Sequence, residues 1–176
     1  DFMTIITEIK SKDLKIEILG LFDNLDEALD GRLIHSENYQ ALNTLQEKYK
    51  EKVQCIYIDP PFNTGSDFAY VDKFQDSTWL TLMNDRIALA RNFLRDDGSF
   101  YLHLDYNASH LGRIVLDNLF DKDLFLNEII WHYQAGTSPL KGFAKKHDNI
   151  FLYSKTKENY FNQIRLLVKD ESIYPL

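Results

Sequence analysis

Hydrophobic positions follow two different periods along this chain. From Ser36, a candidate helix start, Tyr39, Leu42, Leu45 and Tyr49 recur at helical spacing through about Lys50. Val53 to Ile58 is a short apolar, β-branched run that Asp59-Pro60-Pro61 stops, the pattern of a buried strand with an abrupt end. Cys55 falls inside that run, where a packing role is expected. Residues 62–76 are polar and aromatic, with Asn63-Thr64-Gly65 as a turn signal. Ser77 can cap a second helix in which Leu80, Met83, Ile87, Ala90 and Leu94 recur, and Asp97-Gly98 is read as its left-handed close. Ser99 to Leu104 reads as a second strand ending on Asp105, followed by a shorter helix from about Ser109 to Phe120. Further strand-like runs lie at 126–133 and 149–153, while residues 1–30 read as helical without a clean period.

Strands separated by amphipathic helices imply crossover connections and an α/β fold, a mainly parallel sheet with helices on both faces. Ligands of such sheets gather outside the carboxyl ends of the strands. Asp59 and Asp105 end two successive predicted strands, which places both acids on the rim of one crevice.

Composition narrows the class. The 176 residues, 44% hydrophobic and 27% charged, suit one globular domain with a real core. No stretch nears the roughly 20 apolar residues of a bilayer crossing, and no basic-then-apolar leader opens the sequence. One cysteine excludes an internal disulfide and a multi-cysteine zinc site. A cytoplasmic protein is expected. The five histidines show no ligand spacing, so no metal is expected.

The net charge of −7 argues against a nucleic-acid binder held by bulk attraction. Its distribution softens that reading. Residues 1–30 carry eight acids against three lysines, whereas 131–160 carry five lysines, at 141, 145, 146, 155 and 157, against two acids. A local basic face of this kind can hold phosphates, and a plainly solvated surface is the competing reading.

The sharpest chemistry is in Asp59-Pro60-Pro61-Phe62. Two prolines fix two φ angles and remove two backbone donors, leaving carbonyls with no amide hydrogens competing beside them. A carboxylate adds an acceptor, and an aromatic ring adds a flat wall. The set fits a planar group that presents N–H donors, such as the exocyclic amine of a nucleobase. That amine is a poor nucleophile because its lone pair is delocalised into the ring. Two acceptors gripping its N–H bonds favour a pyramidal nitrogen, and so stabilise the transition state more than the ground state. A base must leave the duplex to reach such a pocket. The structural alternative is a strand stopped by a rigid turn, with Asp59 capping backbone amides.

Ile56-Tyr57-Ile58-Asp59-Pro60-Pro61-Phe62-Asn63-Thr64-Gly65 resembles the catalytic segment of DNA adenine-N6 methyltransferases, above all the β-class enzymes that include type III restriction-modification subunits. The likeness extends upstream to Leu33-Ile34-His35-Ser36-Glu37-Asn38. Downstream it takes in Asp67-Phe68, Tyr70, Asp72, Phe74, Trp79, Arg86 and Asp97-Gly98-Ser99, then Asn127 to Trp131 and Lys146-His147-Asp148 through Lys155, so that it covers about residues 31–157. It implies a Rossmann-like sheet, S-adenosylmethionine as methyl donor and double-stranded DNA as substrate. Asp59 and the Pro60 carbonyl would accept from the target amine, Pro61 would complete the rigid turn, and Phe62 would stack on the extruded adenine. Asp59 would also lie near the donor, with Asp105 lining the donor crevice or capping the next helix. Asn63, Thr64 and Gly65 would border the DNA entrance, and Lys141, Lys145 and Lys146 would lie toward the target-recognition region. A restriction nuclease subunit and a second copy of the chain are the implied protein partners.

One departure stands out. The family's donor site uses a Phe-x-Gly-x-Gly-like turn, whereas the glycines here, at 20, 31, 65, 98, 112, 136 and 142, include no G-x-G. The expected organisation is therefore an acidic helical extension over 1–30, a partial catalytic domain over 31–157 and the start of a target-recognition region or linker over 158–176. The donor site and sheet are expected to be incomplete, the chain being the N-terminal part of a larger enzyme and inactive alone. The alternatives are a non-catalytic fragment serving as a DNA-contact or assembly module, and a reader of flipped adenine that lacks transfer chemistry.

Overall fold

The computed structural model describes residues 12–31, 33–64, 74, 76–134 and 141–163. The chain divides into two units, Asp1–Ser36 and Glu37–Leu176. The first carries the short helices α1 (Lys12–Leu19) and α2 (Leu25–Ala28). The second carries α3 (Asn38–Tyr49), β1 (Val53–Ile58), α4 (Asp76–Phe93), β2 (Leu94–Leu104), α5 (Ser109–Phe120), β3 (Phe125–His132) and β4 (His147–Ser154). Among the described residues no helix is long and apolar enough to cross a membrane.

The sheet order is β1-β2-β4-β3. β1 runs parallel to β2 through the crossover helix α4, and β4 runs antiparallel to both β2 and β3. Three strands thus point one way and β4 runs counter, so only the β1–β2 pairing is parallel. Among the described residues no helix separates β3 from β4, and Tyr133 N donates to Lys146 O at 3.0 Å where the two strands meet the return. The carboxyl ends of β1, β2 and β3 therefore lie along one edge of the sheet.

The core forms where the apolar periods predict it. Alternation along β2 buries Phe100, Leu102 and Leu104 completely, against Met83 and Ile87 of α4 and Val115 and Leu116 of α5. Such side chains each contribute about 1.5–3 kcal/mol on burial. Helix α5 approaches so closely that a Cβ on Gly112 would lie 2.2 Å from Leu104 Cδ1. The expectation of helices on both faces is met on this face among the described residues; Tyr57 and Cys55, of opposite parity on β1, remain exposed. Cys55 is accordingly not a packed core thiol, because β1 ends the sheet order and Cys55 and Tyr57 alternate with Ile56 and Ile58, the β1 side chains packed against the core.

Two boundaries differ from the sequence pattern. Helix α3 is capped by Glu37, whose carboxylate accepts from Tyr39 N at 2.8 Å, not by Ser36. Asp97-Gly98 does not close α4. The helix ends at Phe93 and passes directly into β2, and Arg95–Gly98 bulges opposite Gln54 alone, since Val53 pairs with Leu94 and Cys55 already with Ser99. Glycine is needed at 98 for close approach: a Cβ there would lie 2.9 Å from Arg95 O and 3.2 Å from Gln54 O. The segment after β4 clamps the bulge, with Lys155 N donating to Gly98 O, Lys155 Nζ to Leu94 O and Thr156 Oγ1 to Asp96 O.

Candidate active site at the carboxyl ends of the strands

Asp59 follows the last residue of β1, and its side chain is 58% exposed. The prolines after it are held from below. Trp79 of α4, fully buried, donates its indole Nε1–H to Pro61 O at 2.8 Å. That bond spends the second proline's carbonyl and fixes the turn on a rigid helix. Phe62 is half-buried, with its ring centroid 5.7 Å from that of His103 at 49°. Asp59, Pro60, Pro61 and Phe62 thus form one rim, open at the carboxylate and backed by the core.

Asn63 closes the loop that follows. Its φ of 59° lies in the left-handed region that asparagine tolerates. Its Oδ1 accepts from Phe74 N at 2.7 Å and its Nδ2 donates to Asp76 Oδ1 at 3.2 Å. The side chain is therefore a clasp joining the two feet of the loop. Thr64 is half-buried beside it. Gly65 lies outside the described residues, as do Asp67, Phe68, Tyr70 and Asp72.

Asp105 ends β2 on the same edge and is 9% exposed. Its Oδ1 accepts from Asn107 N at 2.8 Å and its Oδ2 from Asn107 Nδ2 at 2.6 Å, which shapes the turn into α5. Burial pushes its carboxyl above the ordinary carboxylate range, and the Asn107 hydrogen bonds pull the other way without cancelling it. Lys145 reaches this edge from the β3–β4 return, its Nζ 3.9 Å from the centroid of the Tyr106 ring. Lys141 is exposed and Lys146 half-buried on the same return. Lys155, by contrast, is 12% exposed and bound to the Leu94 carbonyl, so this lysine is part of the scaffold, not of a basic face.

The sequence pattern passes over a polar chain beside Asp59. Ile58 pairs with Leu102, so the residue that continues the register opposite Asp59 is His103, not Asp105. His103 Nε2 lies 3.2 Å from Asp148 Oδ2, and Nδ1 lies 2.6 Å from the Tyr57 hydroxyl and 4.0 Å from Asp59 Oδ1. A carboxylate can only accept, so Nε2 carries the hydrogen and Nδ1 accepts from Tyr57. Tyr133 donates its hydroxyl to Asp148 Oδ1 at 3.3 Å. Burial, and then the charges of Asp59 and Asp148, raise the Tyr57 hydroxyl's pKa and keep it a donor. Nothing in the sequence spacing signals this chain, because it joins three strands whose relative register only the fold sets.

Beside the turn, between α3, α4 and the edge of β1, an apolar cavity of about 660 Å³ is walled by Leu42, Ile56, Met83 and Ile87 and bordered by Asp59 and Pro60. Arg86 stands at its margin, with Nη2 on Glu37 Oε1 at 2.5 Å and Nε on Asn38 Oδ1 at 2.6 Å. It ties α4 to the start of α3.

A family model described as DNA methylase, covering N6- and N4-methyltransferases, matches residues 53–172. The chain belongs to this DNA methylase family. A protein of Haemophilus influenzae named "Probable type III restriction-modification enzyme HindVI Mod subunit" is 39% identical over 134 residues, a span of 73% of this chain and 18% of that protein. The EcoP15I Mod subunit of Escherichia coli is 28% identical over 169 residues, with 78% of this chain and 26% of that protein covered. This DNA methylase chain thus spans well under half the length of these curated relatives. Two solved structures share its fold. The M1.HpyAVI–SAM complex aligns with a TM-score of 0.52 at 15% identity, over 76% of this chain and 60% of that one. The PvuII cytosine-N4-specific DNA methyltransferase aligns at 0.50 and 13% identity, over 68% and 48%. The α/β sheet of this DNA methylase thus shares their fold, with four strands among the described residues.

Proposed function

We propose that this chain is the target-base half of an S-adenosylmethionine-dependent DNA methyltransferase that modifies adenine at N6 within a restriction-modification system. The observation that carries the reading is the exposed Asp59 carboxylate at the end of β1, beside a Pro-Pro turn that the buried Trp79 indole holds through Pro61. The relatives named as Mod subunits of type III restriction-modification enzymes support the same choice.

In this reading Asp59 and the Pro60 carbonyl accept the two N–H bonds of an extruded adenine amine, while the Phe62 ring stacks on the base. Positioning and transition-state electrostatics supply the rate, with no covalent intermediate on the protein. Asp105 lines the crevice by shaping the turn at the end of β2, since its oxygens are engaged by Asn107. Asn63 and Thr64 border the DNA entrance. Lys141, Lys145 and Lys146, of which Lys145 packs over Tyr106 beyond the end of β2, would meet the phosphates of double-stranded DNA. A restriction subunit is the protein partner that this role implies.

The methyl donor meets only part of its site in these residues. Its glycine cradle needs closely spaced glycines open to a ligand. The sequence has no G-x-G, and Gly98 and Gly112 are spent on packing against Gln54 and Leu104. The donor's cradle is therefore not among these residues, and no step through the donor is assigned to them.

The test is methyl incorporation by the full-length protein into duplex DNA, with the product nucleosides separated by mass spectrometry. N6-methyladenine is expected. N4-methylcytosine alone, or no methylated base, would contradict the reading.

A further inference from the structure

We propose that His103 is a positioning residue for Asp59, and that its protonation state decides whether the Asp59 carboxylate is available to a target base. The inference rests on the reading of Asp59 as the acceptor of the base amine.

The argument follows from the hydrogen-bond polarity of the Asp148–His103–Tyr57 chain. In neutral His103 the Nε2 hydrogen is committed to Asp148 and the Nδ1 lone pair to the Tyr57 hydroxyl. Asp59 then has no donor from the ring, and its Oδ1 stays 4.0 Å away with the side chain open to solvent. A proton added to His103 can go only to Nδ1. That nitrogen becomes a cationic donor whose near acceptor is the Tyr57 oxygen, the Tyr57 hydroxyl hydrogen must turn away from the ring, and the Asp59 carboxylate 4.0 Å from Nδ1 then faces a positive charge. That cation would draw the Asp59 carboxylate toward the ring and so compete with the N–H donors of a base for the same acceptor. The Phe62 ring packs on the same imidazole, so the stacking wall and the acceptor are referred to one side chain.

The groups that face His103 are Tyr57 and Asp59 from β1 and its end, Asp148 from β4, and, through Asp148, Tyr133 at the end of β3. Asp105 and Tyr106 lie further along the same edge and act on Tyr133 only through their charges.

The experiment compares binding of the full-length protein to two duplexes, one carrying an unpaired adenine and one an abasic site at the same position. The affinity ratio isolates the base from phosphate contacts, and comparison with His103→Gln separates His103 from other titrating groups. Wild-type protein should prefer the adenine at about pH 8 and lose at least about fivefold of that preference by about pH 5.5. His103→Gln should hold a ratio constant within about twofold across the range. Tyr57→Phe, which removes one exposed hydroxyl and keeps the imidazole, should retain the pH response and guards against a misfolded His103 variant. Side-chain nitrogen NMR of wild-type protein should find the Nε2–H tautomer of His103 at about pH 8. A preference that wild-type protein keeps unchanged down to about pH 5.5, or an Nδ1–H tautomer, overturns this inference alone. No adenine preference at about pH 8 overturns the target-base reading beneath it.

Discussion

The indole of Trp79 and the carbonyl of Pro61 are joined by a 2.8 Å hydrogen bond that links the middle of the core to the rim of the site. Trp79 is fully buried in the α4 stripe that continues through Met83, Ile87 and Ala90. The rigidity of the Pro-Pro turn thus comes from two sources, the pyrrolidine rings themselves and a donor that cannot move without disturbing the core. Trp79→Phe keeps most of the apolar bulk and removes the donor. Unfolding by denaturant should show a loss of about 1–3 kcal/mol, and base-dependent DNA binding should weaken with it.

Gly98 offers a test of the bulge that opens β2. A methyl group there meets Arg95 O at 2.9 Å, Leu94 Cδ2 at 3.1 Å and Gln54 O at 3.2 Å, two of them backbone atoms fixed by strand pairing. Gly98→Ala should cost about 1–3 kcal/mol. Gly31→Ala, where a Cβ meets nothing within 4 Å, should stay within about 0.5 kcal/mol of wild type in the same melts.

Tyr153, fully buried, donates to Asp117 Oδ1 at 2.5 Å, and Arg113 Nε donates to the same oxygen at 3.1 Å. Burial pushes the Asp117 carboxyl up, but the hydrogen bonds from Tyr153 and Arg113 outweigh it and hold it below the ordinary carboxylate value. An acid whose folded value is depressed stabilises the fold above its unfolded value, and that contribution disappears as pH falls through the folded value. Tyr153→Phe should therefore lower stability at neutral pH by about 1–2 kcal/mol. The gap to wild type should narrow as Asp117 protonates below the ordinary carboxylate range. A gap independent of pH would assign the loss to packing instead.

Two lysines of the basic stretch should behave differently. Lys145 projects over Tyr106 at the open edge, while Lys155 is mostly covered and donates to Leu94 O. Lys145→Ala should weaken DNA binding for all sequences and reduce the slope of log affinity against log salt by about 1, with stability unchanged. Lys155→Met should leave that slope alone and lower the melting temperature.

Much of this was legible in the sequence, for identifiable reasons. Val53–Ile58, the α4 stripe and the Gly112-bearing helix each carry one clean period, and local pattern suffices to place them. The rim of Asp59, Pro60, Pro61 and Phe62 was legible because prolines constrain the backbone wherever they sit. Gly98 misled because a glycine after a helix usually serves as its cap, whereas here its missing Cβ admits the Gln54 carbonyl. Cys55 misled because an apolar strand reads as buried on both sides until its neighbours are known. His103 was invisible as a partner of Asp59, since a two-residue offset in the β1–β2 register separates it from Asp105, the more obvious strand-end counterpart.

The most direct measurement is the rate of methyl transfer to adenine N6 in duplex DNA by the full-length protein and its Asp59→Ala variant, each with a parallel melt. Asp59 is largely exposed, so the variant should fold within about 0.5 kcal/mol of wild type. Its transfer rate should fall by at least about 100-fold, the effect of removing an acceptor aimed at developing charge. A folded Asp59→Ala protein that methylates within about twofold of wild type would contradict the account.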